Sequence, residues 1–436
     1  MFKKILKALR TRDLRNKILF TVALLVLYRV VAHIPLPGVD PTQLAEFVRN
    51  NQFFGLLDIF QGGGLSSLSI VMLGVGPYIT SSIVIQLLTQ IIPKLHELQK
   101  EGGEEGQRKI NQYTRLLAVP LGAIQAWGTI VLFTRGSSSL GANLHIFNNL
   151  NGLGIAEIIV VAVAGSIFMM WLGELISEYG VGNGISLLIF AGIVARIPNQ
   201  IQQTQATFDR SSLGPILGVV AVGIIVVAVV VLITQAQRNI PIRYARQIRG
   251  IKLLGGSTTH LPLRVNQAGV IPIIFALSIL LFPGLIANFA SSAHNQTIAT
   301  IAQRVVTFFN DPTAYAVSYF VLVIVFTYFY TSIAFEPKSI AENIQKSGGF
   351  VPGIRPGEPT ARYLSKVSNR IVPVGALFLG GIAVLPFILR NSLHVTTLSV
   401  GGTSLLIAVS VVLETLQKLD AQLVEQEYTA RVKRAF

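Results

Sequence analysis

Apolar segments long enough to cross a lipid bilayer dominate the sequence and limit the folds open to it. A membrane-spanning helix needs about 20 mostly apolar residues to cover ~30 Å of hydrocarbon. Ten segments approach this length, at residues 18–34, 76–92, 114–134, 154–174, 184–200, 214–235, 269–289, 314–334, 371–389 and 399–418. Charged residues make up only 13% of the chain, against about 25% in soluble domains. Because the apolar runs do not alternate with polar residues, the sequence predicts an all-α polytopic membrane protein with ten transmembrane helices.

Lysine and arginine residues are concentrated in every second connection between these segments. Most of the 35 basic residues lie before the first segment, after the second, sixth and eighth, and in the tail. Cytoplasmic connections of membrane proteins carry such an excess of positive charge. The pattern therefore predicts a multi-pass protein of the inner (plasma) membrane with both termini in the cytoplasm. It also accounts for most of the net charge of +15 without a nucleic-acid partner.

The ten segments divide into five and five. The polar stretch 196–212 separates them and lies on the external side in this topology. We expect an N-terminal half at residues 1–200, a C-terminal half at 201–418 and a cytoplasmic tail at 419–436. Inverted repeats of equal span number are common in membrane proteins, so the two halves are expected to be pseudo-symmetric.

Residues that carry catalysis or ion coupling are scarce. The chain has no cysteine, and its six histidines show no metal-binding spacing. Gly62–Gly64 lacks the Lys-Ser/Thr of a phosphate loop, so no enzyme activity, cofactor or metal is predicted. Ion-coupled transporters place carboxylates or histidines within the bilayer, and these segments contain mainly amides and hydroxyls instead. An ion-coupled transporter of a small solute remains the alternative function.

A half-length apolar stretch stands before the second segment. Leu65–Gly74 follows three glycines and precedes Gly76-Pro77. As a helix it would rise only ~15 Å, which is too short to cross the bilayer. The sequence therefore predicts a short helix with a hinge at each end.

Pairs of apolar residues one helical turn apart occur in several segments. Examples are Val75 with Ile79, Ile185 with Ile189, and Ile271 with Ile274. Each pair faces one direction on its helix. Two interpretations stand: ordinary packing or lipid contact, and an apolar ring at mid-membrane that blocks ions by dewetting.

Two predicted cytoplasmic connections, at residues 236–268 and 335–370, are longer than a turn requires. Each carries six basic residues, and "SGGFVPGIRPGEPTARYL" is rich in Gly and Pro, which predicts a fixed irregular loop. They are either solvated basic loops or a docking platform for a partner, and their length favours docking.

Seven stretches, in order along nearly the whole chain, resemble the SecY family, the large subunits of bacterial-type protein-conducting channels. They are "YRVVAHIPLPGVD", "LGVGPYITSSIVIQLL", "RKINQYTR", "MMWLGELISEYGVGNGISLLIFAGIVA", "STTHLPLRVNQAGVIPIIFA", "KSGGFVPGIRPGEPTARYL" and "GGTSLLI". The resemblance implies two halves around a central pore that passes unfolded secretory polypeptides and releases apolar segments sideways into lipid.

Site residues follow from the same resemblance. The pore ring is expected at Val75, Ile79, Ile185, Ile189, Ile274 and Ile407. A plug at about residues 62–73, with its hinges, is expected to comprise Gly62, Gly63, Gly64, Leu65, Ser66, Ser67, Leu68, Ser69, Gly74, Gly76 and Pro77. Its small side chains suit a segment that must also leave the pore. Polar candidates for the lateral gate are Thr80, Gln86 and Asn266.

The resemblance also implies partners. Arg355 in "GIRPG", with Arg249 and Lys252 in "RQIRGIKLLGG", would meet the SecA ATPase or the ribosome. The small membrane subunits SecE and SecG, a signal-sequence-bearing polypeptide and membrane lipid complete the set. Ribosomal RNA would be the only nucleic acid contacted.

Overall fold

The computed structural model describes ten stretches of the chain: residues 11–36, 68–100, 102–139, 152–206, 213–244, 247–249, 252–254, 258–290, 296–393 and 402–435. The helices in these stretches are α1 Arg12–Val31, α2 Gly76–Ile91, α3 Pro93–Lys100, α4 Gly103–Ser139, α5 Gly152–Tyr179, α6 Gly184–Val194, α7 Ile197–Ala206, α8 Leu213–Gln235, α9 Ile271–Ala290, α10 Gln296–Asn310, α11 Pro312–Ala334, α12 Pro337–Lys346, α13 Glu358–Leu393 and α14 Gly402–Ala435. The strands are β1 Gln237–Tyr244, β2 Gln247–Arg249, β3 Lys252–Leu254, β4 Thr258–Arg264 and β5 Gly349–Phe350.

Every predicted apolar segment falls on a helix, which confirms the predicted helical membrane-protein class. Within the described residues, three regions are long and apolar enough to cross a bilayer: Gly152–Tyr179, Pro312–Lys346 and Glu358–Ile388. The predicted span 184–200 is divided, because α6 ends at Val194 and α7 begins at Ile197. With 11 residues, α6 rises only ~16 Å. The count of ten spans therefore stays a prediction.

The chain forms two compact units. Unit 1 comprises Met1–Phe208, Phe282–Val306 and Val411–Phe436, and unit 2 comprises Asp209–Leu281 and Thr307–Ser410. The first change of unit lies close to the predicted boundary at residue 200. The helices α9, α10 and α14 each have one part in unit 1 and one part in unit 2. A single boundary in the sequence between two halves does not describe this division. The predicted halves stay a prediction.

Close helix packing in unit 1 depends on backbone contacts. A Cβ at Gly184 would overlap the carbonyl oxygen of Gly173, so the N-terminus of α6 lies directly on α5. The backbone N–H of Gly184 donates to Ser177 Oγ at 2.8 Å. Asn183 caps α6, because its side-chain oxygen accepts from the N–H groups of Ile185 and Ser186. These bonds satisfy N–H groups that have no partner within the helix.

A buried hydroxyl ties α1 to the turn between α5 and α6. Thr21 Oγ1 donates to the Lys17 carbonyl at 2.9 Å and accepts from the Val181 N–H at 3.1 Å.

We expect Thr21→Val to lower the free energy of unfolding by about 1–3 kcal/mol, because the buried Val181 N–H loses its acceptor. Thermal unfolding of the purified protein would measure the loss. The control is Thr300→Val on α10, whose exposed hydroxyl bonds only to its own helix; an equal effect there would contradict the tie.

Unit 2 contains a small antiparallel sheet with strand order β4-β1-β5. Ile240 on β1 lies opposite Leu261 on β4, and Arg243 lies opposite Phe350 on β5. Ile240 and Ile242 are buried while their neighbours along β1 are exposed, as one-sided packing of a strand requires. Its apolar face packs in a cluster of Ile240, Leu263, Val351, Leu364 and Val367. The sequence predicted an irregular loop at residues 347–364, and β5 and the start of α13 at Glu358 narrow that loop to residues 351–357.

Only part of the predicted plug and its hinges lies within the described residues. Gly62, Gly63, Gly64, Leu65, Ser66 and Ser67 lie outside them. Leu68–Val75 forms successive turns instead of the predicted half-helix, and regular helix starts at Gly76. Leu68 and Gly74 have φ values of +37° and +52°, which interrupt a right-handed helix. Pro77 stands in the first turn of α2, where its missing N–H costs no hydrogen bond.

Candidate channel-lining and docking surfaces

The six predicted ring residues are located on four helices and one turn. Unit 1 holds Val75 before α2, Ile79 on α2, and Ile185 and Ile189 on α6. Unit 2 holds Ile274 on α9 and Ile407 on α14. All are buried except Ile185, which is half-buried. For the five buried residues, burial argues against lipid contact and leaves ordinary packing and the apolar ring as the two interpretations.

Local structure holds the ring candidates of unit 1 in place. The Ile79 N–H donates to the Val75 carbonyl at 3.0 Å, so the two side chains stand one helical turn apart. Ile185 occupies the space that a side chain at residue 173 would need, because a Cβ there would lie 2.6 Å from Ile185 Cδ1. Gly173 thus accepts the end of Ile185. The sequence offered no direct signal for this pairing, since the two residues lie on different helices.

The predicted gate residues have different surroundings. Thr80 Oγ1 donates to the Gly76 carbonyl at 3.0 Å and accepts from Gln125 Nε2 at 3.2 Å, which links α2 to α4. Gln86 donates to Ser82 Oγ on its own helix. Asn266 precedes α9, is buried, and has no hydrogen-bond partner for either side-chain atom among the described residues. A buried amide without partners is costly, so Asn266 is the strongest of the three gate candidates.

Two further contacts fix α4 between its neighbours and were not predicted. Ser81 Oγ on α2 donates to the Thr114 carbonyl on α4. Arg115 Nε on α4 donates to Glu174 Oε1 on α5 at 2.7 Å. The first joins residues 33 positions apart, and the second joins residues 59 positions apart. Only knowledge of the helix order around α4 could have paired them.

Exposed basic side chains lie on the sheet, the loop that follows β5 and the helices α12 and α13 of unit 2, and we call this surface the basic platform. It is formed by Arg238, Arg243, Arg264, Lys338, Lys346, Arg355, Arg362, Lys366 and Arg370. Among the same strands, loop and helices, the acidic residues are Glu336, Glu342 and Glu358. Arg362 Nη2 donates to Glu358 Oε1 at 2.8 Å. Positive charge therefore dominates this surface, which favours contact with an acidic partner.

Arg355 projects from a loop with a fixed backbone. Its carbonyl accepts from Thr360 Oγ1 at 2.8 Å, and the Thr360 hydroxyl is buried with its residue. The neighbouring Ile354 packs against the buried cluster below the sheet. Gly353 and Gly357 have φ values of +82° and +90°, which favour glycine. A charged side chain on a rigid, exposed loop is well suited to binding.

Arg249 and Lys252, the other predicted docking residues, form a cross-strand pair. They lie directly opposite each other in the two-stranded β2–β3 sheet. The sequence predicted charge at the tip of this connection, and the register places both residues at that end of the hairpin. Among the described residues, no three or more His, Cys, Asp or Glu side chains lie close enough together to hold a metal ion.

Apolar helices, buried apolar residues at the predicted ring positions and a basic platform define a polytopic helical membrane protein. The chain belongs to the SecY family, because that family's model matches residues 69–416. The "Protein translocase subunit SecY" of Corynebacterium glutamicum is 43% identical over 444 residues, covering 98% of this chain and 99% of the relative. The protein of the same name from Mycobacterium tuberculosis H37Rv is 41% identical and covers 99% and 100%.

Solved structures support the same fold. "The structure of a protein conducting channel" has a TM-score of 0.62 at 19% identity, covering 94% of this chain and 92% of that one. "Sec61 in the Canine ribosome-channel complex from the endoplasmic reticulum" has a TM-score of 0.59 at 20% identity with the same coverage. The predicted resemblance is confirmed. These findings give no support to the ion-coupled transporter alternative.

Proposed function

We propose that this chain forms the central channel of a Sec translocase and passes unfolded secretory polypeptides across the membrane. The observation that carries the proposal is the burial of Val75, Ile79, Ile189, Ile274 and Ile407 in a SecY-family chain. Apolar side chains fit a constriction that excludes ions by dewetting. Branched side chains can also move apart around a peptide, since they form no directional bonds to it.

A lateral gate completes the proposed channel. Thr80 and Gln86 on α2, and Asn266 before α9, are its polar candidates. An apolar, helical signal sequence would favour the open state only by binding it better than the closed state. Apolar segments of the substrate would then leave sideways, because lipid solvates them better than water does. Asn266 lacks a partner within the described residues, as suits a group that exchanges partners on opening.

The basic platform is the proposed docking surface on the cytoplasmic side, with both chain termini on that side. Arg355 on this surface, together with Arg249 and Lys252 on β2 and β3, would contact the SecA ATPase or the ribosome, including its RNA. SecE and SecG would be the small membrane subunits of the complex. The chain acts as a passage and not as an enzyme in this scheme, so the free energy for transport comes from its partners or the proton-motive force. A plug near residues 62–73 would complete the resting seal.

Crosslinking from position 79 tests the proposed channel directly. A photoreactive amino acid would replace Ile79, and a secretory chain would be stalled during transport in proteoliposomes. We expect a crosslink to the stalled chain, because Ile79 lies in the proposed constriction. The matched control carries the same group at Ile124 on α4, which is 57% exposed on a helix face away from the unit interior. Crosslinking at 124 and not at 79 would reject the proposed path.

A further inference from the structure

The turns before α2 are bonded to the chain that follows α1. We call Leu68–Val75 the turn segment. The Leu36 N–H donates to the Leu68 carbonyl at 2.8 Å, and the Ile70 N–H donates to the Ile34 carbonyl at 3.0 Å. Pro35 and Ser69 between them form an isolated antiparallel β-bridge. This short ladder attaches the turn segment to the C-terminal end of α1.

The turn segment is also among the most deeply buried parts of unit 1. Leu68, Ser69, Val71, Met72, Leu73 and Val75 are each at most 2% exposed. Such burial differs from the loose packing that the sequence predicted for a plug ending at Leu73. Moving these residues out of place would expose large apolar side chains and break both bonds of the ladder.

Gly165 on α5 provides the third contact. A Cβ at this residue would overlap the Ile70 carbonyl oxygen, and would lie 2.8 Å from the Ile70 carbonyl carbon and 3.3 Å from Val71 Cα. The backbone of the turn segment therefore lies directly on the backbone of α5. Only glycine fits at 165 without a shift of the backbone.

We propose that Gly165 is a positioning residue that seats the turn segment on α5, and that this segment stays seated while the channel conducts. The inference rests on the proposed channel function. It revises the plug proposed above at about residues 62–73, because Leu68–Leu73 would not belong to the part that leaves the pore. It also makes Gly165 responsible for the position of Val75 in the ring.

A reversible disulfide lock tests whether the segment stays seated. Pro35 and Ser69 lie between the two ladder bonds, in the register in which facing residues exchange no backbone bond with each other. Cα atoms in this register are about 4.5 Å apart, within the ~4.4–6.8 Å that disulfides need. The chain has no cysteine of its own, so the double variant Pro35→Cys/Ser69→Cys would contain a single pair. We expect oxidation to lock the pair and leave polypeptide transport unchanged. Loss of transport that a reductant restores would overturn the proposal.

Substitution of Gly165 tests its positioning role. We expect Gly165→Leu to slow disulfide formation in the 35/69 double variant and to raise resting ion conductance on the order of tenfold, because the shifted segment displaces Val75. Gly165→Ala serves if the larger variant does not fold. Gly223→Leu on α8 is the control, since nothing lies within 4 Å of its Cβ position. If the oxidation rate and the conductance are unchanged in both Gly165 variants, Gly165 does not position the turn segment.

Failure of the proposed function can be told apart from failure of the seat. If the parent protein passes no polypeptide in the presence of its partners, the channel function fails. The oxidation rates of the 35/69 pair with and without Gly165→Ala still decide whether the seat exists. If the parent protein transports polypeptide and the oxidised 35/69 variant does not, only the proposal that the turn segment stays in place is rejected.

Discussion

Replacing Arg355 with glutamate is expected to reduce polypeptide export about 10- to 100-fold without lowering the unfolding temperature. Hydrogen bonds to charged groups contribute about 1.5–3 kcal/mol, which corresponds to roughly that range of binding constants. Charge reversal adds repulsion from the same acidic partner groups. Arg355 is exposed on the basic platform, and no ion pair of this residue would be broken within the described part of the fold.

The local structure explains why the fold should tolerate this substitution. The loop is held by the Thr360 hydroxyl on the Arg355 carbonyl and by Ile354 in the buried cluster. Neither contact uses the guanidinium group. Surface substitutions away from such contacts usually change stability by less than about 0.5 kcal/mol. The effect on export should therefore come from docking alone.

Export into vesicles driven by SecA and ATP would measure the effect. Arg304→Glu on α10 is the matched control, because it makes the same change in net charge on an exposed helix outside the basic platform. Arg355→Lys separates charge from geometry, since lysine lacks the planar fork with which arginine binds two oxygens at once. Export by Arg355→Glu equal to that by Arg304→Glu would contradict the docking role.

The helices of this chain were predictable because their signals are local. The segment predicted at 214–235 is α8, Leu213–Gln235, and the one predicted at 314–334 is α11, Pro312–Ala334. Two residues determine where α11 starts: the Asp311 side chain accepts from the Thr313 N–H, and Pro312 occupies the first turn. A long apolar run with such a start needs no tertiary information.

The basic platform was predicted as a surface but not as a sheet. The buried positions of β1 alternate, yet the run is short and contains Pro241, while its partner β4 contains Pro262. Proline usually argues against a strand because it cannot donate to the ladder. Pro241 lies opposite His260, and Pro262 lies opposite Asn239. Because the Val265 N–H donates to the Ala236 carbonyl and hydrogen-bonded pairs alternate along antiparallel strands, both prolines fall at positions where the β1–β4 ladder needs no donor.

The turn segment was beyond sequence reasoning for a different reason. Its buried Leu68 has a positive φ, which local preference assigns to glycine, and its seat is a glycine nearly 100 residues later on α5. Glycines within membrane helices signal close packing but do not identify the partner. For the ring, the sequence indicated which faces are apolar, and the structure added their burial.

Replacing both Ile79 and Ile189 with asparagine is expected to raise resting ion conductance on the order of tenfold, because polar side chains wet a constriction that apolar ones keep dry. Both residues lie in unit 1, on α2 and α6, and both are buried. Asparagine has as many side-chain heavy atoms as isoleucine, although it is smaller, so the constriction stays occupied while its affinity for water rises. Polypeptide transport should persist, since an extended chain does not depend on dewetting.

Planar-bilayer recordings of the resting protein would measure this conductance. Ile124→Asn on α4 is the control, because it places the same amide on an exposed face of a membrane helix. Each single variant should give a smaller rise than the double variant if the two side chains belong to one barrier. Equal conductance in the double variant and in Ile124→Asn would assign Ile79 and Ile189 to ordinary helix packing, and the proposed channel would then lack its ion barrier.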